Sequence, residues 1–339
     1  MPVYNAGKYL GKCLHSLCRQ SLSDIEIICI NDGSSDDSLD IINNIAATDK
    51  RVIPLSQPNS GPARARNLGL QHAHGKYIMF CDSDDWYEPN MCQIMLSRIS
   101  SSDIVVCNAN VIDETPDTTR TDAIGYYKNR YTGIKTITKF IIRQTNVVLW
   151  NKIFKKDIID QYGITFPDGR EYDDDCFYLQ YMSVIQTADF CNEKLYNYLR
   201  RNDSIMGKVC SKKDKSIFDR LYTAKHYYDF ICRHNLKQKC YDIFLNYLLR
   251  SITTGKRRWN QTELQNAEEI SLSLFGKKIT RLAFPHPRKI AFFIKLEKSF
   301  NIKFRENKTV YKTKYTLFIF GIKLFSWKIN MSSVANFNA

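Results

Sequence analysis

No two of the 11 cysteines are spaced as C-x-x-C, and their number is odd. That pattern excludes a zinc ribbon and a disulfide framework and points to reduced thiols in a cytoplasm. Long hydrophobic runs are also missing. The longest apolar stretch near the end, Leu317 to Leu324, is short and broken by Lys323, so it cannot span a bilayer. No basic-then-apolar leader is visible, and no internal repeat. Acidic residues are outnumbered, with Lys+Arg 49 against Asp+Glu 35 and a net charge of +14. Such a balance favours an anionic partner: nucleic acid, a nucleotide or an anionic membrane surface. One more absence stands at the start. Pro2-Val3-Tyr4-Asn5 reads as the exit from a strand, with Asn5 capping a helix that carries Leu10, Leu14 and Leu17 at helical spacing. Only Met1 precedes it. The expectation is that a first strand is lacking, that Met1 is not the natural start, and that upstream sequence encodes an apolar strand.

What is present is an ordinary globular composition. The 339 residues are 44% hydrophobic and 25% charged, enough for two domains or one domain with an extension. A helix over 6–20 is followed by the apolar run IEIICIN at 25–31 and the turn signal DGSSD. Ser34 or Ser35 is placed to cap a second helix that runs to about residue 47. A weak strand at 52–56, a helix at 62–73, a strong apolar strand at 76–81, a helix at 88–100 and a strand at 103–108 complete an alternating series. Near-continuous apolar strands alternating with helices predict an α/β fold, a mostly parallel sheet with helices on both faces. Ligands bind beyond the carboxyl ends of strands in such sheets, where Asp32 and the Asp82/Asp84/Asp85 cluster both fall. A helix is expected at about 134–144, another at 171–187, and helical, lysine-rich text after residue 206.

Four motifs carry the chemistry. In FCDSDDW, residues 80–86, three carboxylates follow a buried strand. Their mutual repulsion is relieved by a cation, and oxygen ligands suit Mg²⁺ or Mn²⁺. Taken alone, the motif also reads as a solvated acidic turn. In NDGSSD, residues 31–36, Asp32 can accept hydrogen bonds from a nucleobase, or simply close an Asx turn. In SGPARARNLGL, residues 60–70, Arg64 and Arg66 near a helix start suit a diphosphate, or an exposed helix face. In EYDDDCFYLQY, residues 171–181, Asp173 and Asp174 share a helical face with Phe177, so a partly buried carboxylate is available as a general base. The alternative there is compensation of the helix dipole.

The joint order of PVYN, NDGSSDDS, GPARARNLGL, GKYIMFCDSDDWYEP, WNKIF and DDDCFY…YNYLRRNDSIM resembles the family 2 glycosyltransferases of GT-A fold, from residue 2 to about residue 206. The resemblance implies that Pro2 and Tyr4 lie in the first nucleotide-contacting loop, that Asp32 reads the base, usually uracil, and that Arg66 lies near the nucleotide. Asp82 and Asp84 match the two acids of the D-x-D motif, with Asp84 as the metal ligand and Asp85 extending the substrate site. Asp174 matches the aspartate of an acidic pair written Glu-Asp in most members. Asp173 replaces that glutamate here, which leaves Asp173, Asp174 and Asp175 all open as the base, with Asp174 favoured by its spacing to Phe177. The implied reaction is inverting transfer of a sugar from a nucleotide-diphosphate donor, such as a UDP-sugar, to a hydroxyl of a saccharide or lipid-linked saccharide. The cofactor implied is Mn²⁺ or Mg²⁺, and the setting cell-surface polysaccharide or lipopolysaccharide synthesis. A truncated or inactive relative, or a nucleic-acid-binding protein, is the competing class; no recognisable nucleic-acid module supports the latter.

The expected organisation is a nucleotide-sugar half at 1–110, an acceptor and catalytic-base half at 111–206, a helical region at 207–300 and a basic aromatic tail at 301–339. The tail admits two readings, an anionic membrane contact and a β-rich appendage. The expected location is cytoplasmic, peripheral on the inner face of the plasma membrane if the tail binds lipid. His72 and His74 lack a third ligand nearby and read as surface residues. Tyr196 and Tyr198 read as packing, and Arg200 and Arg201 as residues within reach of diphosphate or acceptor. The terminal SSVANFNA reads as disordered.

Overall fold

The computed structural model describes residues 1–114, 127–170, 172–201, 218–256, 261–275, 307–309, 312–319 and 322–329. The 207–217, 257–260 and 276–300 stretches of the expected helical region, and the terminal SSVANFNA, lie outside them.

The N-terminal half is built around a three-stranded parallel sheet of β1 (Pro2–Val3), β2 (Ile27–Asn31) and β3 (Val52–Ser56), in that order. The first strand is therefore not wholly lacking. Pro2 and Val3 pair in parallel with Ile30 and Asn31. Met1 extends the ladder, its amino group donating to the Ile28 carbonyl at 2.8 Å and its carbonyl accepting from Ile30 at 2.9 Å. Helix α1 (Gly7–Cys18) buries Leu10, Cys13, Leu14 and Leu17, the 3–4 spacing that puts one apolar stripe against the sheet. Asn5 does not cap it. Its backbone is left-handed (φ 47°), and its Oδ1 accepts from Ser35 N at 2.8 Å. The caps of α1 come from the next loop instead: Ser38 Oγ accepts from Ala6 N and Asp36 Oδ2 from Gly7 N, both at 2.9 Å. Ser34 likewise accepts from Asn5 N, so Ser34 and Ser35 serve this first loop rather than starting α2 (Ser38–Thr48). The loop after β2 is thus tied to the loop after β1, because unpaired N–H groups at a helix start take the nearest acceptors.

Helix α3 (Pro62–His72) starts on Pro62, whose missing N–H costs nothing at that position. The second sheet is six-stranded and mixed. It comprises β4 (Tyr77–Met79), β5 (Trp86–Tyr87), β6 (Ile104–Asp113), β7 (Gly133–Thr136), β8 (Lys152–Lys155) and β9 (Thr187–Arg200). The path is β4-β8-β6-β9-β5, with β7 also on β9. Only β6 and β9 run parallel; β8 is antiparallel to β4 and β6, and β5 and β7 to β9. The α/β class and the parallel N-terminal strands agree with expectation, while the polarity of this second sheet was not readable from local pattern. The expected helix at 134–144 is corrected too. Ile134, Thr136 and Thr138 alternate, which favours β7, and α5 (Lys139–Gln144) begins only after Thr138, whose Oγ1 accepts from Ile141 N.

Helices α4 (Met91–Ile99), α6 (Lys156–Tyr162) and α7 (Asp173–Val184) cover this sheet, and α8 (Asp219–Arg233) packs on α7. Phe177, Tyr178, Tyr181 and Met182 of α7 are fully buried, in one core with Phe154, Phe166 and the α8 residues Tyr227 and Phe230. Helices α9 (Lys237–Lys256) and α10 (Gln261–Phe275) follow, and an antiparallel set of β10 (Asn307–Thr309), β11 (Lys312–Ile319) and β12 (Ile322–Ile329) occupies much of the basic aromatic tail. Among the described residues no helix is long and apolar enough to cross a membrane, and every described cysteine is a free thiol.

Candidate active site

Three elements bring the predicted residues together. The loop between β4 and β5 carries Asp82, Asp84 and Asp85, α3 carries Arg66, and the start of α7 carries Asp173, Asp174 and Asp175. Arg66 joins the two acidic groups. Its Nη1 donates to Asp173 Oδ2 at 2.7 Å and its Nη2 to Asp82 Oδ1 at 3.2 Å. The arginine is largely buried and lies over the Phe166 ring. Burial alone would lower its pKa; the carboxylates of Asp173, Asp82 and Asp174 raise it instead. Arg64, by contrast, is exposed and faces Asp168 at 3.8 Å.

Each acid of the β4–β5 loop has a different environment. Asp82 is one-third exposed. Asp84 Oδ2 accepts from Arg201, at 3.0 Å from Nε and 2.7 Å from Nη2. Burial raises the Asp84 pKa, the neighbouring charge of Asp82 raises it further, and Arg201 opposes both. Asp85 is 1% exposed: its Oδ2 accepts from the Tyr196 hydroxyl at 2.6 Å and its Oδ1 from Leu199 N at 2.7 Å. Burial and the charges of Asp82 and Asp84 push its pKa well up. Its geometry ties the loop to β9 rather than offering oxygens to the cleft.

Among the described residues no three His, Cys, Asp or Glu side chains gather as a metal site. Asp82 and Asp84 are nevertheless a fit for a hard divalent cation. Such ions commonly take one or two carboxylates and complete their shell from phosphate oxygens and water. Burial first and the charge of Asp82 second disfavour the ionised form of Asp84, and a bound cation would favour it.

At the start of α7, Tyr172 adopts a left-handed conformation (φ 61°, ψ 30°) and makes no side-chain cap. A non-glycine residue there costs roughly 1–3 kcal/mol and persists only where its surroundings hold it. Asp173, 6% exposed, is bound to Arg66. Asp174 is half-buried, and its Oδ1 accepts the Asp175 N–H at 2.9 Å. Burial, then repulsion from Asp175 and Asp173, pushes its pKa up to about 8, against Arg66 and that N–H. Asp175 Oδ2 stands 3.9 Å from Arg220 Nη1.

Asp32 directly follows β2 and is 3% exposed. It accepts from Gln57 Nε2 at 2.7 Å and from Ser60 N and Gly61 N at 2.8 Å, so it organises the turn that leads into α3. Gly33 beside it has φ 70°, and a Cβ there would sit 2.8 Å from Asn59 N. Pro2 lies in β1; Tyr4, just beyond it, is 53% exposed. Of the arginine pair, Arg200 bonds Asp113 on the neighbouring β6, and only Arg201 reaches the acids. His72 bonds Leu68 O of its own helix, and His74 faces Glu26.

Sequence reasoning missed two residues here. Tyr196, read as packing, is the partner of Asp85. Lys152, in WNKIF, is fully buried; its Nζ donates to Val148 O and to Asn151 Oδ1, the latter at 2.8 Å, and lies over the Tyr178 ring. Burial lowers its pKa to about 7, against Cys107 and Asp174. A lysine inside an apolar run was the available signal.

The family model described as "Glycosyl transferase family 2" matches residues 1–163. The chain is 33% identical over 219 residues to the putative glycosyltransferase EpsH of Bacillus subtilis, covering 62% of each chain. It is 33% identical over 224 residues to the glycosyltransferase GlyG of Streptococcus pneumoniae, covering 61% of this chain and 71% of that one. The match thus spans about six-tenths to seven-tenths of these relatives. In fold it is similar to S. aureus TarS 1–349 in complex with UDP-GlcNAc, with a TM-score of 0.64 at 19% identity over 95% of this chain and 97% of that one. With strand-end acids, an arginine between them and a helix-start acid in place, and a relative matched at this level, the chain belongs to glycosyltransferase family 2.

Proposed function

We propose that the protein transfers a sugar from a nucleotide-diphosphate donor to a hydroxyl of a saccharide or lipid-linked saccharide, with inversion, in the building of a cell-surface polysaccharide. The observation that carries this reading is the bridge made by Arg66. It puts a carboxylate of the D-x-D loop and the acids at the start of α7 on either side of one guanidinium. A donor's diphosphate and an acceptor's hydroxyl need those two groups within one cleft.

In this reading Pro2, Tyr4 and Asp32 line the nucleoside end, and Arg66 and Arg201 offer fixed positive charge to the diphosphate. Asp82 and Asp84 would hold Mn²⁺ or Mg²⁺, whose charge offsets the negative charge developing on the leaving diphosphate. Asp174 takes the proton from the attacking hydroxyl as that oxygen bonds the anomeric carbon and the bond to the diphosphate breaks. Its pKa of about 8 suits that task, since a base works best when its pKa lies near the operating pH. Asp173 is held by Arg66 and orients rather than accepts. The basic tail at 301–339 and an anionic membrane carrying a lipid-linked acceptor form the peripheral part of the proposal, which places the enzyme on the cytoplasmic face.

The test is nucleotide release from a panel of UDP-, GDP- and dTDP-sugars, with Mn²⁺, Mg²⁺ or EDTA. UDP-GlcNAc, the sugar nucleotide bound in the TarS complex, is the first donor to try. Metal-dependent release from at least one donor supports the reading; release from none, with or without oligosaccharide acceptors, sinks it.

A further inference from the structure

We propose that Arg220, at the start of α8, is a positioning residue for the acids of α7: it stacks on Tyr172 and faces Asp175, and so fixes the left-handed turn from which Asp173 and Asp174 enter the cleft. This rests on the reading of Asp174 as the base.

The contact is reciprocal. Arg220 lies 3.9 Å over the Tyr172 ring, and Arg170, two residues before Tyr172, lies 3.8 Å over the ring of Tyr222, two residues after Arg220. Arg170 Nη1 also donates to Asp219 Oδ1 at 3.1 Å. Two arginine–tyrosine stacks and two ion pairs therefore lock the segment before α7 to the first turn of α8. Guanidinium stacking on an aromatic face strengthens as water is withdrawn from it, and Arg220 is about three-quarters buried. The strained backbone lies inside this lock. Tyr172 has no cap bond of its own, so its conformation is held from outside the helix. Among the described residues the buried Nε of Arg220 has no hydrogen-bond partner, a sign that the side chain is placed for its stack and its charge rather than for a full set of bonds.

The charge has its own consequence. Among the described residues, Asp174 is faced by Asp173 and Asp175 on α7, by Arg66 on α3 and by Lys152 on β8, and Arg220 reaches it through Asp175. Among the described residues the three consecutive acids have different neighbours: Asp173 bonds Arg66, Asp175 faces Arg220, and Asp174 lies between them and accepts the Asp175 N–H. Removing the charge at Arg220 leaves Asp175 less compensated, which disfavours ionisation of Asp174.

The experiment uses the full chain labelled with ¹³Cγ-aspartate, with the Asp174 resonance assigned by its loss in Asp174→Asn. In Arg220→Met its titration midpoint is expected to move up, and in Arg220→Lys, which keeps charge but loses the planar stack, to move less. Turnover of the donor selected from the panel is expected to fall at least fivefold in Arg220→Met at pH 7 with KM for donor near the wild-type value. An unmoved midpoint and unchanged turnover in both variants, once circular dichroism shows them folded, overturns the proposal. If Arg220→Met does not fold, Arg220→Lys and Tyr172→Leu decide it, since a purely structural contact lowers the melting temperature without moving the midpoint. A moved midpoint with full activity in Asp174→Asn would keep the positioning role and remove the base assignment.

Discussion

The acidic triplet after β4 and the acidic triplet at the start of α7 contain the same residue type and are partnered in parallel ways. In each, one acid is tied into the fold, one is bonded to Arg66, and one is the acid to which the proposed function gives the chemistry. After β4 these are Asp85, Asp82 and Asp84; on α7 they are Asp175, Asp173 and Asp174. The acids of the β4–β5 loop do not open a helix; Asp85 is sunk into the core and anchors the loop through Tyr196 and Leu199 N. The α7 triplet has a helix N-terminus, whose N–H groups and dipole already favour carboxylates, and it needs only a brace from outside. Asp84 of the loop sits against a cation, Arg201, whereas Asp174 of the helix sits between two like charges. In the proposed reading that difference suits Asp84 to a metal and Asp174 to a proton.

Exchanging the two chemistry-bearing acids should break the comparison most severely. Asp174→Asn should lower turnover by about 10²–10⁴-fold, the range for a general base, with nucleotide affinity preserved by calorimetry. Asp84→Ala should act in the opposite sense, weakening Mn²⁺-dependent nucleotide binding by at least roughly 10–100-fold, the loss typical even of residues behind a metal ligand. Equal loss of nucleotide affinity in both variants would erase the distinction. Next in size is Arg66→Met, which strips the shared partner from both clusters. Breaking a largely buried pair costs up to about 3–5 kcal/mol, read as a lower denaturant midpoint, and Asp173→Asn in the same background should recover part of it. Asp85→Ala should cost about 1–3 kcal/mol for each buried donor left unpaired, and Asp85→Asn less, because one acceptor remains.

The smallest effect has the opposite sign. The folded protein holds the Asp174 carboxyl at about 8, above its unfolded value, so ionising it opposes folding as pH rises between those values. Asp174→Asn removes that repulsion and should raise the melting temperature at pH 8 by a few degrees, with little change at pH 4. A fall at pH 8 would show that the carboxylate stabilises its site.

Much of this comparison was legible in the sequence. Strands ending before Asp32 and DSDD, and acids opening a helix, follow from apolar runs and turn residues, and the family resemblance carried by the order of the motifs implied one site for both clusters. What was not legible depends on contacts between distant segments. Ser34 and Ser35 look like local caps for α2 but serve the loop after β1, 29 and 30 residues away. Tyr196 differs from a packing tyrosine only through Asp85, 111 residues away. Arg220 lies beyond the recognisable motifs, and its role comes from α8 folding back on Tyr172. The short strand β7 was hidden because its β-branched residues run directly into the helix that follows.

The central claim is that Asp174, lifted by its neighbours, is the group that accepts the proton. The most direct measurement is the pH dependence of turnover at saturating donor and metal, from pH 6 to 9, for the wild-type chain beside Asp174→Asn. The account predicts a rate that rises with pH through a midpoint near pH 8 in the wild type, and no such limb in the residual activity of the variant. A flat wild-type profile, or a rising limb that survives in Asp174→Asn, would contradict it.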